Sequence, residues 1–331
     1  TIHVIVDYDN NIGVDIKSDA VIITTGGSEA LSMLFTCILD EGSEVLIPEP
    51  FYPNYNTMIR TAGGRIRGIS TSPEEGYRYA VREKIEPLIN ENTRAIMVTN
   101  PGNPTGVVLT KEEMQVIADI AKAHDLYVIG DEVYREFVYG GEPLASMGQF
   151  KEIEQNVVII DSVSKRFSAC GARVGALISK NKELMGNALK LAQARLSVAT
   201  IDQLAAAALY SCDSEYFSEV REEYKLRRDT CYKKLMEIPG VICEKPQGAF
   251  YMMAALPVDS ADNFNRWLLE EFDDNHETVV FAPGSGFYTN GKGINEIRIA
   301  YVLKQEDLER AMELLKIGIF KYRKEVMGLN D

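Results

Sequence analysis

Several scarcities narrow this chain before any motif is read. Its five cysteines (Cys37, Cys170, Cys212, Cys231, Cys243) include no CxxC pair and are odd in number, which points to reduced thiols in the cytoplasm rather than a disulfide framework. The three histidines, His3, His124 and His276, are far apart and lack metal-ligand spacing, so no metal site is expected. No apolar run is long enough to span a bilayer and no signal-peptide pattern is present, so no membrane role is expected. Basic residues are outnumbered too: 35 Lys and Arg against 49 Asp and Glu leave a net charge of −14. Such a surface repels phosphate backbones and anionic lipid, which argues against nucleic-acid or membrane partners but says nothing direct about the active site, where a local arginine cluster can still bind anions.

What remains has the composition of an ordinary globular protein. The 331 residues are 46% hydrophobic and 25% charged, enough for one large domain and a smaller one. Short β-branched runs at 21–24, 44–47, 94–98, 126–129, 157–160 and 174–178 alternate with amphipathic stretches such as 29–39 and 112–123. In the latter, Met114, Ile117, Ala118 and Ala121 recur at helical spacing. Near-continuous apolar strands separated by helices predict an α/β fold with a mostly parallel sheet covered on both faces. The pattern changes near residue 199. A long charged helix at 214–236, a strand pair within 240–255, a helix at 263–272, strands at 278–281 and 296–301 and a final helix at 305–324 predict a smaller C-terminal α+β domain. The expected division is 1–199 and 200–331.

Ligands of open α/β sheets bind beyond the carboxyl ends of the strands, so the residues after each run matter most. Gly26, Gly27 and Ser28 follow the first run and open a helix; free N–H groups there suit a phosphate, though a glycine pair can equally be a plain turn. Phe51 and Tyr52 follow the second, where an aromatic either stacks on a planar ligand or caps the core. The run at 94–98 leads into Asn-Pro-Gly-Asn-Pro-Thr-Gly, a rigid non-helical loop that orients Asn103 as a hydrogen-bonding group. Asp131 follows the next run, as a helix cap or as a carboxylate seeking a cation. Ser162, Lys165 and Arg173 follow the run at 157–160. There, a lysine among apolar residues suits Schiff-base chemistry and the other two suit a phosphate. Taken together, these groups describe a planar, phosphorylated, protonatable heterocycle joined to a lysine: pyridoxal 5′-phosphate (PLP).

With these residues in view, the chain resembles the fold-type I PLP-dependent aminotransferases of class I, the aspartate aminotransferase-like group. The likeness covers nearly the whole chain and rests on NPGNPTG at 100–106, GDEVY at 130–134, SVSKRFSACGARVG at 162–175 and NEIRIAY at 295–301. The resemblance implies that Lys165 forms the Schiff base and shuttles the proton. It likewise implies that Asp131 pairs with the pyridinium nitrogen, and that Tyr134 and Asn103 hydrogen-bond the phenolic oxygen. Tyr52 would stack on the ring; Gly27, Ser28, Ser162 and Arg173 would hold the phosphate; Arg298, with Asn103 beside it, would clamp the substrate carboxylate. The implied activity is ping-pong transfer of an amino group from an L-amino acid, aspartate among the candidates, to a 2-oxo acid such as 2-oxoglutarate, by a cytoplasmic homodimer. A β-lyase on the same fold is the alternative, and a ligand-sensing regulatory module a more distant one. Two departures bear on this. The residues before Gly26 offer no counterpart to the family's N-terminal arm, and Ser28 stands where some aspartate-preferring relatives place a lysine. Gly284-Ser285-Gly286 fails the dinucleotide fingerprint and is expected to be a turn lining the pocket.

Overall fold

The computed structural model describes residues 1–140, 144–289 and 291–329. A seven-stranded sheet forms from β1 (Val21–Thr24), β2 (Glu44–Pro48), β3 (Arg65–Ile69), β4 (Thr93–Thr99), β5 (Tyr127–Asp131), β6 (Val157–Ser162) and β7 (Gly175–Ile178). Its order is β1-β7-β6-β5-β4-β2-β3. The run β3-β2-β4-β5-β6 is parallel throughout, and β7 lies antiparallel to both β6 and β1. The helices are α1 (Ile2–Asn11), α2 (Gly26–Ile38), α3 (Asn54–Thr61), α4 (Arg82–Ile85), α5 (Lys111–His124), α6 (Val163–Arg166), α7 (Lys182–Arg195), α8 (Thr200–Leu209), α9 (Ser214–Leu235), α10 (Ala261–Glu270) and α11 (Gln305–Glu325).

Successive strand side chains point to opposite faces, which is why these runs are apolar throughout. Leu46, Ile96, Val98, Val128 and Ile159 pack with Met114, Ile117 and Ala121 of α5 on one face. Val45, Ile47, Met97, Ile129 and Ile160 pack with Ala30 and Leu34 of α2 and Ala188 of α7 on the other. The start of α5 is set locally: Thr110 Oγ1 accepts from the Glu113 N–H at 3.2 Å, and the Glu113 carboxylate accepts from the Thr110 N–H at 2.8 Å.

A second, antiparallel sheet of β8 (Tyr251–Ala255), β9 (Ala282–Pro283) and β10 (Glu296–Ala300) has the order β8-β10-β9. Phe264 and Leu268 of α10 and Leu308, Leu315 and Ile319 of α11 pack against Ala254 and Ile297 in its core. Two expectations fail in detail, and one strand was missed. Of the strand pair within 240–255, only β8 is regular; Ile242 makes one bridge to Ala255, and Pro246 with its missing N–H interrupts the rest. The strand expected at 278–281 sits later, at β9, because only Ala282 and Pro283 reach register with Arg298 and Ile297. Finally, β3 escaped the sequence reading: Arg65 and Arg67 break its apolar run and, at the sheet edge, both pair with Glu44 of β2.

Candidate active site

The carboxyl ends of β4, β5 and β6 open into a cavity of about 380 Å³ at the junction with the C-terminal sheet. All ten residues singled out from the sequence line it: Gly27, Ser28, Tyr52, Asn103, Asp131, Tyr134, Ser162, Lys165, Arg173 and Arg298. Leu31, Tyr55, Val133, Ser164, Cys170 and Tyr251 complete the wall.

Asp131 ends β5 and is buried; residues 132–136 turn without forming a helix, so it is not a helix cap. Tyr55, fully buried on α3, donates to Asp131 Oδ2 at 2.6 Å. Burial nonetheless pushes the carboxyl up to about 6, the Tyr55 bond opposing the shift only in part. Among the described residues no cationic side chain pairs with it. A buried carboxylate without a cation is costly, and a protonated ring nitrogen would relieve that cost.

Lys165 lies on the single turn α6, immediately after β6. It is half-buried rather than enclosed, with Nζ 6.0 Å from the centre of the Tyr134 ring. Its neighbour Arg166 is fully buried, pairs with Asp161 at 2.6 Å, and lies 4.3 Å from the Tyr8 ring of α1. Arg135 is buried nearby, 2.5 Å from both Asp9 of α1 and Glu132. These pairs tie α1 to the two segments that carry Asp131 and Lys165. None of them was anticipated, because α1 has no motif and its partners lie far along the chain.

The opposite end of the cavity suits a dianion. The α2 N-terminus presents Gly27 and Ser28, and Arg173 reaches over it, with Nη2 3.3 Å from the Thr25 carbonyl and Nη1 2.9 Å from that of Cys170. Gly26 has φ +77°, and a Cβ there would sit 2.2 Å from Arg173 Nη2, so only glycine fits. Ser162 is occupied internally: it accepts from the Ser164 N–H at 3.1 Å and stands 2.9 Å from Ser164 Oγ and 3.1 Å from the Val174 carbonyl. Ser164, passed over in the sequence despite flanking the lysine, therefore shares the wall with it.

Arg298 enters from β10. Its Nη1 donates to Asn103 Oδ1 at 3.1 Å, while Asn103 Nδ2 donates to the Tyr134 hydroxyl at 3.4 Å. The guanidinium rests between two rings, 4.6 Å from Tyr251 and 5.0 Å from Phe287. No carboxylate pairs with it among the described residues, which leaves its planar fork free for a ligand carboxylate. The segment Gly284–Phe287 is a short 3-10 turn outside the cavity wall, contrary to expectation; its part is to hold Phe287 against Arg298.

A family model for aminotransferase class I and II matches residues 5–315. The chain belongs to the class I and II aminotransferases. The aspartate aminotransferase of Bacillus subtilis is 34% identical over 325 residues, 95% of this chain and 79% of that protein. Aromatic-amino-acid aminotransferase 2 of Thermococcus litoralis is 34% identical over 312 residues, 93% of this chain and 77% of its own length. The solved alanine aminotransferase of Pyrococcus furiosus superposes with a TM-score of 0.88 at 33% identity, covering 96% of this chain and 81% of that one. The protein is a PLP-dependent aminotransferase. Its own residues fit that cofactor: a buried carboxylate lacking a cation, an amine on the same cavity wall, and hydrogen-bond donors with a guanidinium at the far end.

Proposed function

We propose that the cavity transfers the amino group of an L-amino acid to a 2-oxo acid such as 2-oxoglutarate, with Lys165 as the proton carrier. When bound, PLP supplies an electron sink that acidifies the Cα–H of an amino acid joined to it. Lys165 Nζ takes that proton as a general base and gives it back as a general acid. Asp131 keeps the ring nitrogen protonated, and Tyr134 and Asn103 donate toward the phenolic oxygen. Tyr52 covers the ring, while Gly27, Ser28 and Arg173 hold the phosphate, joined by Ser162 once its hydroxyl turns from the Val174 carbonyl. Arg298 binds the α-carboxylate of each amino and oxo acid in turn, with Asn103 Oδ1 fixing the plane of its fork. The supporting observation is that these groups, drawn from five strand ends of the large sheet, the segment before β7 and the middle of β10, line one cavity.

The favoured donor carries a neutral or aromatic side chain rather than a second carboxylate. Among the described residues the cavity holds three cations, Lys165, Arg173 and Arg298, each already assigned, and its remaining wall includes Leu31, Tyr52, Val133 and Tyr251. A panel of amino donors assayed with 2-oxoglutarate tests this: phenylalanine, tyrosine or alanine should exceed aspartate in kcat/KM, and a preference for aspartate would overturn it. In the same assay Lys165→Ala should lose turnover by about three orders of magnitude or more while still binding PLP. Retained turnover would remove Lys165 from its role.

Two wider readings go with this function. Leu196, Ile201 and Leu204, 76%, 81% and 67% exposed, form an apolar edge along the end of α7 and α8; a second copy of the chain is the occupant we favour, making a cytoplasmic homodimer. No helix among the described residues is long and apolar enough to cross a membrane. The proposed domain division stays at 199/200, with α8 bridging it, since Ala206 packs beside Val163 and Phe167 of the lysine segment.

A further inference from the structure

Tyr251 stands between the two halves of the site. It opens β8 opposite Ala300 of β10 and is buried, its ring wedged against Phe250 at 4.8 Å and edge-on to Tyr134 at 5.7 Å. The face of the same ring lies 4.6 Å from the Arg298 guanidinium, and its hydroxyl is 3.3 Å from that of Tyr134. Asn103 also bonds both, but Tyr251 adds an aromatic face against the guanidinium and a hydroxyl against Tyr134.

Hydrogen-bond direction follows from what each group can do. An arginine only donates, so Arg298 fixes Asn103 Oδ1 as the acceptor and turns the amide NH₂ toward Tyr134. In this structure the Tyr134 O–H donates to the Tyr251 hydroxyl, but a phenol has one proton and two lone pairs and its O–H rotates, so an acceptor in the cavity can reverse the pair. When Tyr251 donates, both lone pairs of Tyr134 are filled, by Asn103 and by Tyr251. The Tyr134 proton then has only the cavity to point into. The titratable or charged groups around Tyr134 are Tyr55, Tyr251, Asp131, Lys165 and Arg298, and among the described residues Tyr251 is the one of these whose polar atom lies within hydrogen-bond distance of the Tyr134 hydroxyl.

Building on the aminotransferase reading above, we propose that Tyr251 is a positioning residue with two separable actions: its ring seats Arg298 for the substrate carboxylate, and its hydroxyl aims the Tyr134 proton at the phenolic oxygen of the cofactor. The ring acts through attraction between a cation and a π face, which also restricts the guanidinium to one plane. The hydroxyl acts one bond further back, through Tyr134. A donor aimed at the phenolic oxygen favours its anionic form, which eases loss of the proton shared with the lysine link and lowers the pH at which the bound chromophore changes colour.

The test uses PLP-loaded wild type, Tyr251→Phe and Tyr251→Leu, with two readouts. One is the pH midpoint of the visible band; the other is the Kd for glutarate, an unreactive carboxylate, read from perturbation of that band. Tyr251→Phe keeps the ring and drops the hydroxyl, so its midpoint should rise by about half a pH unit while glutarate affinity stays within about two-fold. Tyr251→Leu drops both, so glutarate binding should also weaken roughly five-fold. A purely structural tyrosine would change the melting temperature and leave the midpoint alone. An unmoved midpoint in Tyr251→Phe, or unchanged glutarate affinity in Tyr251→Leu, overturns the inference, and the Phe variant decides the proton question even if Leu fails to fold. A wild type that takes up no coloured cofactor overturns the functional reading and this inference together; a coloured wild type with unmoved variants overturns this inference alone.

Discussion

Asp131 carries the sharpest electrostatic demand among single residues. Its carboxyl is raised from 3.8 to about 6, with burial as the leading cause. A group whose folded-state pKa exceeds its unfolded value contributes stability that is complete below the unfolded pKa and is lost as pH rises through the folded one. Cofactor-free protein should therefore lose stability between about pH 4 and pH 6, by on the order of 2 kcal/mol from this residue. Asp131→Asn keeps the shape and removes the charge, so above pH 6 the cofactor-free variant should melt a few degrees higher than wild type. The same variant should hold PLP more weakly. Melting curves from pH 4 to 8 check both signs, and parallel curves for the two proteins would show that Asp131 is not the titrating group.

Among the elements, the turn from β1 into α2 is the most tightly specified. Gly26 combines a positive φ with the approach of Arg173, whereas a Cβ at Gly27 would meet Ile160 Cγ2 at 3.3 Å and Val133 Cγ1 at 3.8 Å. Gly26→Ala should cost about 1–2 kcal/mol from backbone strain. The displaced Arg173 side chain should raise the Kd for PLP roughly ten-fold if it holds the phosphate. Equilibrium dialysis against PLP measures this; unchanged affinity would take Arg173 out of the phosphate site. The α6 turn is held differently, by the enclosed Arg166–Asp161 pair and the Tyr8 and Tyr210 rings beside it, 4.3 and 5.6 Å from the guanidinium. A buried pair of this kind fixes orientation more than it adds stability.

For the whole molecule, the cavity is lined from both sheets, and side-chain contacts join them. Beyond Arg298 and Asn103, the Glu296 carboxylate accepts from Tyr77 at 2.9 Å and from Tyr288 at 2.7 Å, while the Thr289 N–H donates to Glu49 at 2.8 Å. Burial raises the Glu296 carboxyl, so both tyrosines meet an acceptor already shielded from water. The exposed edge of α8 makes its own prediction. Ile201→Glu with Leu204→Glu places charge on that edge without touching the core, so if two copies pair along it, as proposed, sedimentation should shift from dimer to monomer; a monomeric wild type or an unchanged sedimentation coefficient would overturn that pairing.

Local chemistry alone determined much of this protein. Apolar runs separated by amphipathic stretches specify a covered sheet, and the polar residues after each run specify what gathers at its carboxyl edge, because strand direction carries them there. Other features were decided only by the tertiary structure. β7 runs against its neighbours, which its apolar composition cannot reveal, since both faces are buried in either direction. Tyr55 reaches Asp131 from α3 across 76 positions, and Arg298 reaches Asn103 across 195. The pairing of Asp9 with Arg135 and the seat of Arg298 on Tyr251 are likewise long-range contacts between side chains of unremarkable local sequence. Their partners are chosen by the packing of one sheet against another, and no spacing along the chain encodes that choice.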